Sequence, residues 1–75
     1  MIYINKSDVE LLELLKSDDE YAYEELYNRH WYPLYLIVLQ KLQRKDIAEE
    51  LAQDLFLTVW NKRYNLHIQN AINIF

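Results

Sequence analysis

The sequence has no cysteine, no glycine and only one proline among its 75 residues. Without cysteine the chain can form neither a disulfide nor a thiolate metal site, and His30 and His67 alone provide too few ligands for structural zinc. Without glycine a β-rich fold is disfavoured, because tight hairpin turns usually need residues at positive φ. These absences predict an all-α fold held together by apolar packing.

Long apolar runs and an excess of basic residues are also missing. No run approaches the roughly 18 apolar residues of a membrane-spanning helix, and the first six residues are too polar for a signal peptide. We therefore expect a cytoplasmic protein. The net charge is −4, from 12 acidic against 8 basic residues. Free-standing nucleic-acid binders usually carry a basic face, which this composition does not suggest.

The start of the chain predicts a short first helix in a single domain covering residues 1–75. Ser7 and Glu10 fit a capping box, in which the hydroxyl of one residue bonds the amide of the other and the carboxylate returns the bond. Leucines follow at once and a lysine closes the segment. The pattern predicts a helix over about residues 8–16.

Apolar residues at spacings of three and four predict a long second helix over about residues 19–43. Asp18 or Asp19 can cap its first turn. Pro33 lies inside it and predicts a kink near residues 29–33, with a full break as the less favoured alternative.

A third helix is predicted over about residues 47–62, with Asp46 and Glu49 as a second capping box. The tail, residues 64–75, mixes apolar and polar residues and would begin a fourth helix from a cap at Asn65 or Asn70. The expected architecture is a small bundle of three helices, or of four if the tail forms one.

The third helix contains one leucine on its polar side. At 100° per residue, six apolar residues share an arc of about 140° that predicts the core face: Ala48, Leu51, Ala52, Leu55, Phe56 and Val59. Leu57 falls opposite this arc, among Glu50, Gln53, Asp54 and Asn61. Single exposed leucines are common and need no explanation. The alternative is a protein-docking face, in which an apolar anchor sits inside a polar rim.

Other residue types favour packing over chemistry. No glutamate is followed three residues later by histidine, and no catalytic triad or glycine-rich phosphate loop is present, so we expect no enzyme activity, cofactor or metal. His30 fits a structural histidine and Trp60 a residue at the core edge. Five tyrosines of the second helix could form a base-stacking platform, but their spacing and the few nearby bases favour packing: Tyr21, Tyr23, Tyr27, Tyr32 and Tyr35.

Two segments of the sequence read as recognisable motifs: residues 18–31 are D-D-E-Y-A-Y-E-E-L-Y-N-R-H-W, and residues 48–60 are A-E-E-L-A-Q-D-L-F-L-T-V-W. They resemble region 2 of the ECF-type (extracytoplasmic-function) sigma factors of the sigma-70 family. The first segment is similar to the family pattern G-D-x-x-A-F-x-x-L-Y-x-R-Y-W, and the second is similar to its region 2.2 pattern A-E-D-I-V-Q-D-V-F-L-x-L-W. With their flanks the two segments cover about residues 7–63, and the second match is long and ungapped.

The resemblance implies a helix that docks on the clamp helices of the RNA polymerase β′ subunit during promoter-specific transcription initiation. The matching positions are Glu50, Gln53, Asp54 and Leu57, with Glu49, Trp60 and Asn61 as a second tier. These positions lie on or beside the side of the helix that carries the outlying leucine. The rival hypothesis is another helical protein-interaction module, antitoxin-like or anti-sigma-binding, that uses the same Leu57 face.

The chain departs from the family mainly in length. The DNA-reading regions 2.3 and 2.4 would begin around Ile68 and continue beyond Phe75, and region 4 is missing, so promoter DNA would be contacted only through segments beyond Phe75. We therefore expect a piece of a longer protein. With those segments lost, we expect self-association or a folding back of residues 68–75. The resemblance also allows an anti-sigma factor as a partner.

Overall fold

The computed structural model describes residues 3–65, which contain three α-helices, a final turn of 3-10 helix and no strand. The predicted all-α bundle of three helices is confirmed. None of the helices in this range is long and apolar enough to cross a membrane. The predicted fourth helix falls mostly on residues 66–75, outside the described residues. The elements are α1 (Asp8–Leu15), α2 (Glu20–Leu42), α3 (Lys45–Asn61) and the 3-10 turn Arg63–Asn65.

The first two helices begin at the caps that the sequence predicts. At α1 the Glu10 amide donates to Ser7 Oγ at 3.1 Å, and the Ser7 amide donates to Glu10 Oε1 at 2.9 Å. At α2 Asp19 Oδ1 accepts from two first-turn amides, at 3.0 and 3.2 Å. Helix α2 then continues through Pro33 without a break.

The predicted cap of α3 is wrong. The helix begins at Lys45, its N-cap is Arg44, and no side chain bonds the free amides there. Asp46 is already inside the first turn, where its carboxylate lies 3.3 Å from the Arg44 guanidinium. The reason is the short link: Gln43 has a left-handed backbone (φ 57°) that ends α2, so α3 starts two residues earlier than predicted.

The core lies at one end of the bundle, where all three helices meet. Leu11, Leu12 and Leu15 of α1 pack with Ala22 and Leu26 of α2 and with Val59 of α3. We call this part the closed end. Helix α1 has only 8 residues against 23 in α2 and 17 in α3, so it covers only part of the α2–α3 pair.

The part of the α2–α3 pair that α1 does not reach, α2 residues 31–42 with α3 residues 45–52, is the open end. Ala48 and Ala52 are buried there between the two helices. Leu51, which the wheel predicts to be in the core, is 46 % exposed, and that prediction is wrong. Leu51 lies two turns before Val59 and about 80° from it around the helix axis, and no α1 residue lies beside it because α1 is too short.

A polar network fixes the N-terminal segment and α1 to α2. The Arg29 guanidinium donates to the carbonyls of Tyr3 and Ile4 at 3.1 Å each, and pairs with Asp8 at 3.3 Å and Glu25 at 2.7 Å. His30 Nε2 lies 3.0 Å from the other oxygen of the Asp8 carboxylate. This half-buried histidine therefore has the structural position that the sequence predicts.

Candidate functional site

The outer face of α3 is presented to solvent because its inner face is fixed. Ala48, Ala52, Phe56 and Val59 are all nearly inaccessible, which sets the rotation of the helix about its axis. Leu57 consequently points away from the bundle and is 53 % exposed. The structure thus confirms the helical-wheel prediction that Leu57 lies on the side of α3 opposite the core.

Acidic and amide groups surround Leu57 as the helix geometry requires. Glu50, Gln53 and Asp54, one and two turns before it, are all exposed. Neither Glu50 nor Asp54 has an ion-pair partner among residues 3–65. Thr58 Oγ1 donates to the backbone carbonyl of Asp54 at 2.9 Å, which leaves the Asp54 carboxylate out of that bond. We call Glu50, Gln53, Asp54 and Leu57 the docking face.

The second-tier residues lie at the edges of the docking face. Glu49 and Asn61 are exposed, toward the start and at the end of α3. Trp60 is half-buried at the core edge, with its ring centroid 5.2 Å from that of Tyr23. The Arg63 guanidinium covers the other part of the Trp60 ring, 4.1 Å from its centroid. Trp60 is therefore enclosed by its own chain to a degree that Leu57 is not.

Arg63 fixes the end of α3 to the link between α1 and α2. Its Nη1 donates to the Trp60 carbonyl and its Nε to Asp18 Oδ1, both at 2.8 Å. The Tyr64 hydroxyl also donates to Asp18, and this bond, followed by the one from Arg63, lowers the pKa of the Asp18 carboxyl. The sequence analysis did not predict the contact between Asp18 and Arg63, because residues 45 positions apart form no local pattern.

Helix α2 carries a row of aromatic residues that begins at Tyr27, which contacts Phe56 of α3. Tyr27 and Trp31 have ring centroids 6.2 Å apart, and Trp31 and Tyr35 are stacked at 5.3 Å with planes only 2° apart. Tyr32 contacts both Trp31 and Tyr35, at 6.3 and 6.1 Å, and is 59 % exposed. We call Tyr27, Trp31, Tyr32 and Tyr35 the aromatic ladder. The predicted packing role is correct for Tyr27, which packs against Phe56, whereas Tyr32 lies on the surface.

The remaining surface offers less chemistry. A shallow open groove of about 320 Å³ runs along α1 and is lined by Lys6, Val9, Glu10, Glu13 and Leu14. The Glu10 carboxylate in it is already used by the capping box, whose bond from the Ser7 amide lowers the pKa of Glu10. Within residues 3–65 no three acidic, histidine or cysteine side chains are grouped to hold a metal ion.

Comparison of the chain with protein-family models, with curated proteins and with solved structures gave no match. Over residues 3–65 the chain is a small helical bundle that displays a half-exposed leucine among carboxylates and an amide on its third helix.

Proposed function

We propose that this chain is a protein-docking module, and in particular the polymerase-binding part of an ECF-type sigma factor region 2. Its partner would be the clamp helices of the RNA polymerase β′ subunit. The observation that carries the proposal is the outward position of Leu57 within the docking face. The same four positions match the family's region 2.2 pattern, so sequence pattern and exposure agree on one surface.

The docking face suits a basic helical partner. Complete burial of a leucine side chain contributes about 1.5–3 kcal/mol, and roughly half of that gain is still available to Leu57 in the free chain. Glu50 and Asp54 would add charge complementarity, which raises the association rate and fixes the register of the partner. Gln53 would donate and accept amide hydrogen bonds between them.

The charge balance supports a protein partner over DNA for these residues. The net charge is −4, and all three arginines are already paired with carboxylates of the chain itself: Arg29 with Asp8 and Glu25, Arg44 with Asp46, and Arg63 with Asp18. Phosphate binding requires several unpaired cations on one face. In the family that the chain resembles, promoter contact belongs to regions 2.3 and 2.4 and not to the positions of the docking face.

Binding to an immobilised, purified β′ clamp coiled coil tests the proposal. We expect the wild-type chain to be retained, and Leu57→Asp and Asp54→Arg each to weaken binding at least about tenfold, because each places a charge where the partner needs the opposite property. Leu51→Asp is the matched control. It changes a leucine of the same helix with similar exposure, 46 % against 53 %, on a different face.

Two results would contradict the proposal. One is a wild-type chain that the clamp helices do not retain. The other is equal weakening by Leu51→Asp and Leu57→Asp in variants that circular dichroism shows to be folded. A failure to bind the clamp helices would favour the rival hypothesis of another helical interaction module on the same face.

A further inference from the structure

Helices α2 and α3 meet at a seam that contains two aromatic pairs. The ring centroids of Tyr27 and Phe56 are 4.9 Å apart, and those of Tyr23 and Trp60 are 5.2 Å apart. Residue numbers rise along α2 as they fall along α3, so the two helices run antiparallel. Tyr27 and Phe56 therefore provide a common reference level on the two helices.

On α2 the ladder points away from α1. Leu26, which packs in the core with α1, lies about 100° to one side of Tyr27 around the helix axis. Trp31 and Tyr35 lie about 40° and 80° to the other side of Tyr27. The ladder thus turns progressively from the seam toward the surface opposite α1.

On α3 the docking face points the same way. Val59, which packs in the core with α1, lies about 60° to one side of Phe56. Gln53 and Leu57 lie about 60° and 100° to the other side of Phe56. Because the helices are antiparallel, these directions correspond, and both surfaces lie on the side of the bundle opposite α1.

The two surfaces are also level with each other along the bundle. Four residues of α-helix advance about 6 Å. A step from Tyr27 to Trp31 on α2 therefore matches a step from Phe56 back toward Gln53 on α3. The next step places Tyr35 at the level of Glu49, which is exposed and has no ion-pair partner among residues 3–65.

The ladder has the chemistry of a cation-binding surface. The flat faces of tyrosine and tryptophan rings attract cations, and the planar guanidinium of arginine also stacks on them. Trp31 is held by ring contacts such as its stacking on Tyr35. Its enclosed Nε1 has no hydrogen-bond partner within residues 3–65. Two exposed carboxylates, Glu24 one turn before Tyr27 and Glu49 at the level of Tyr35, would attract an arginine and repel a nucleic-acid phosphate, and one exposed cation, Lys45, lies one turn before Glu49.

We propose that the aromatic ladder extends the docking face across the α2–α3 seam and receives arginine side chains of the basic helix that covers Leu57. This inference rests on the proposed function, since it assigns a second contact to the same partner. The bound helix would lie over the seam, with its apolar side on Leu57 and its cationic side on the rings of Tyr32 and Tyr35, beside the Glu49 carboxylate.

Titration of the purified β′ clamp coiled coil against ring variants tests the inference. Tyr32→Leu keeps an apolar side chain but removes the ring, and we expect about three- to tenfold weaker binding. Tyr32→Phe keeps the ring and should stay within about twofold of wild type. Ile37→Ala is the control. Ile37 is an exposed apolar residue of the same helix, 54 % against 59 % for Tyr32, and lies on the stripe of Leu26 that faces α1.

The outcomes separate the two proposals. If Leu57→Asp abolishes binding while Tyr32→Leu binds like Ile37→Ala, the ladder plays no part and the inference is overturned, whereas the proposed function stands. Equal weakening by Tyr32→Leu and Tyr32→Phe would overturn the ring-face contact in favour of a hydroxyl contact. If the wild-type chain does not bind the coiled coil at all, the proposed function fails and the ladder contact fails with it.

Discussion

Helix α2 is richer in apolar residues in its second half than in its first half, yet the second half is far less buried. Its first half buries Ala22 and Leu26 at the closed end, between α1 and α3. Its second half buries no residue, and Leu36, Ile37 and Leu42 are between 42 % and 54 % exposed. The difference comes from the neighbours: α1 extends about 12 Å, whereas α2 extends about 35 Å. Burial in so small a bundle is decided by which helix runs alongside.

The closed end therefore holds most of the folding free energy, and a matched pair of truncations measures the contrast. Leu26→Ala should lower the free energy of unfolding by about 2–5 kcal/mol, because it leaves a cavity among α1 and α3 side chains. Ile37→Ala at the open end should cost less than about 1 kcal/mol, since over half of that side chain is already in water. Urea unfolding followed by circular dichroism gives both values.

A chain of this size has roughly 5 kcal/mol of stability or less, so Leu26→Ala should unfold at a much lower urea concentration than the wild type. Similar midpoints for Leu26→Ala and Ile37→Ala would show that the open end is covered in solution. Dependence of the Ile37→Ala midpoint on protein concentration would identify self-association as the cause.

The next largest effect concerns the polar network of the closed end. Arg29→Lys removes the planar fork that bonds two carbonyls and two carboxylates at once, and should cost about 1–2 kcal/mol. Arg44→Lys is the control, because its ion pair with Asp46 joins groups that are 63 % and 71 % exposed and should contribute almost nothing. Equal losses in the two variants would contradict a structural role for Arg29.

The sequence predicts the helices of this fold well, and their burial less well. Local signals such as the capping box at Ser7, the cap at Asp19 and the apolar periodicity give the number and type of the helices. The wheel, however, assumes a neighbour along the whole of α3, and so assigns Leu51 to a core that α1 is too short to complete. The short length of α1 is predicted from local signals, but its position along the α2–α3 pair is tertiary information.

The candidate site is predicted to the same extent. The exposed position of Leu57 and the polar residues around it are predicted from the sequence of α3 alone, because both follow from the periodicity of a single helix. The aromatic ladder does not, because its relation to Gln53 and Glu49 depends on how α2 and α3 pack at Tyr27 and Phe56. The predicted cap at Asp46 was wrong for a similar reason. The left-handed backbone at Gln43 ends α2 early and lets α3 begin at Lys45, so that Arg44, which has no capping bond, is the N-cap.

Acid should weaken the closed end through carboxylates that are bonded only in the folded chain. The hydroxyl of Tyr3, followed by the amides of Ala22 and Tyr21, lowers the pKa of Asp19 below its ordinary value of 3.8. A carboxyl with a lowered pKa adds stability above its unfolded value, and that stability is lost as the pH falls through the folded value. The melting temperature should therefore decrease as the pH is lowered below about 4.

Tyr3→Phe removes the largest cause of the lowered Asp19 pKa, so the melting temperature of this variant should depend less steeply on pH in the acid range. The Asp18 carboxyl, which Tyr64 and Arg63 stabilise, would still titrate in both proteins. The test is to record thermal melts of the wild type and of Tyr3→Phe between pH 2 and 6. If the melting temperatures of the two proteins fall equally as the pH is lowered, the Tyr3 hydrogen bond is absent in solution.

The smallest effect concerns the two links, which the chain builds without glycine. Asp18 at the closed end and Gln43 at the open end both have left-handed backbones, with φ of 60° and 57°. Aspartate tolerates this region better than glutamine does, because its short side chain can bond nearby backbone groups.

Gln43→Gly should therefore stabilise the chain by about 0.5–1 kcal/mol, since glycine carries no Cβ to clash at positive φ. Asp18→Gly should not stabilise it, because the Asp18 carboxylate accepts bonds from Arg63 and Tyr64 that glycine cannot replace. Urea midpoints of the two variants measure the difference. A gain from Asp18→Gly as large as that from Gln43→Gly would mean that the Arg63 contact adds nothing to the closed end.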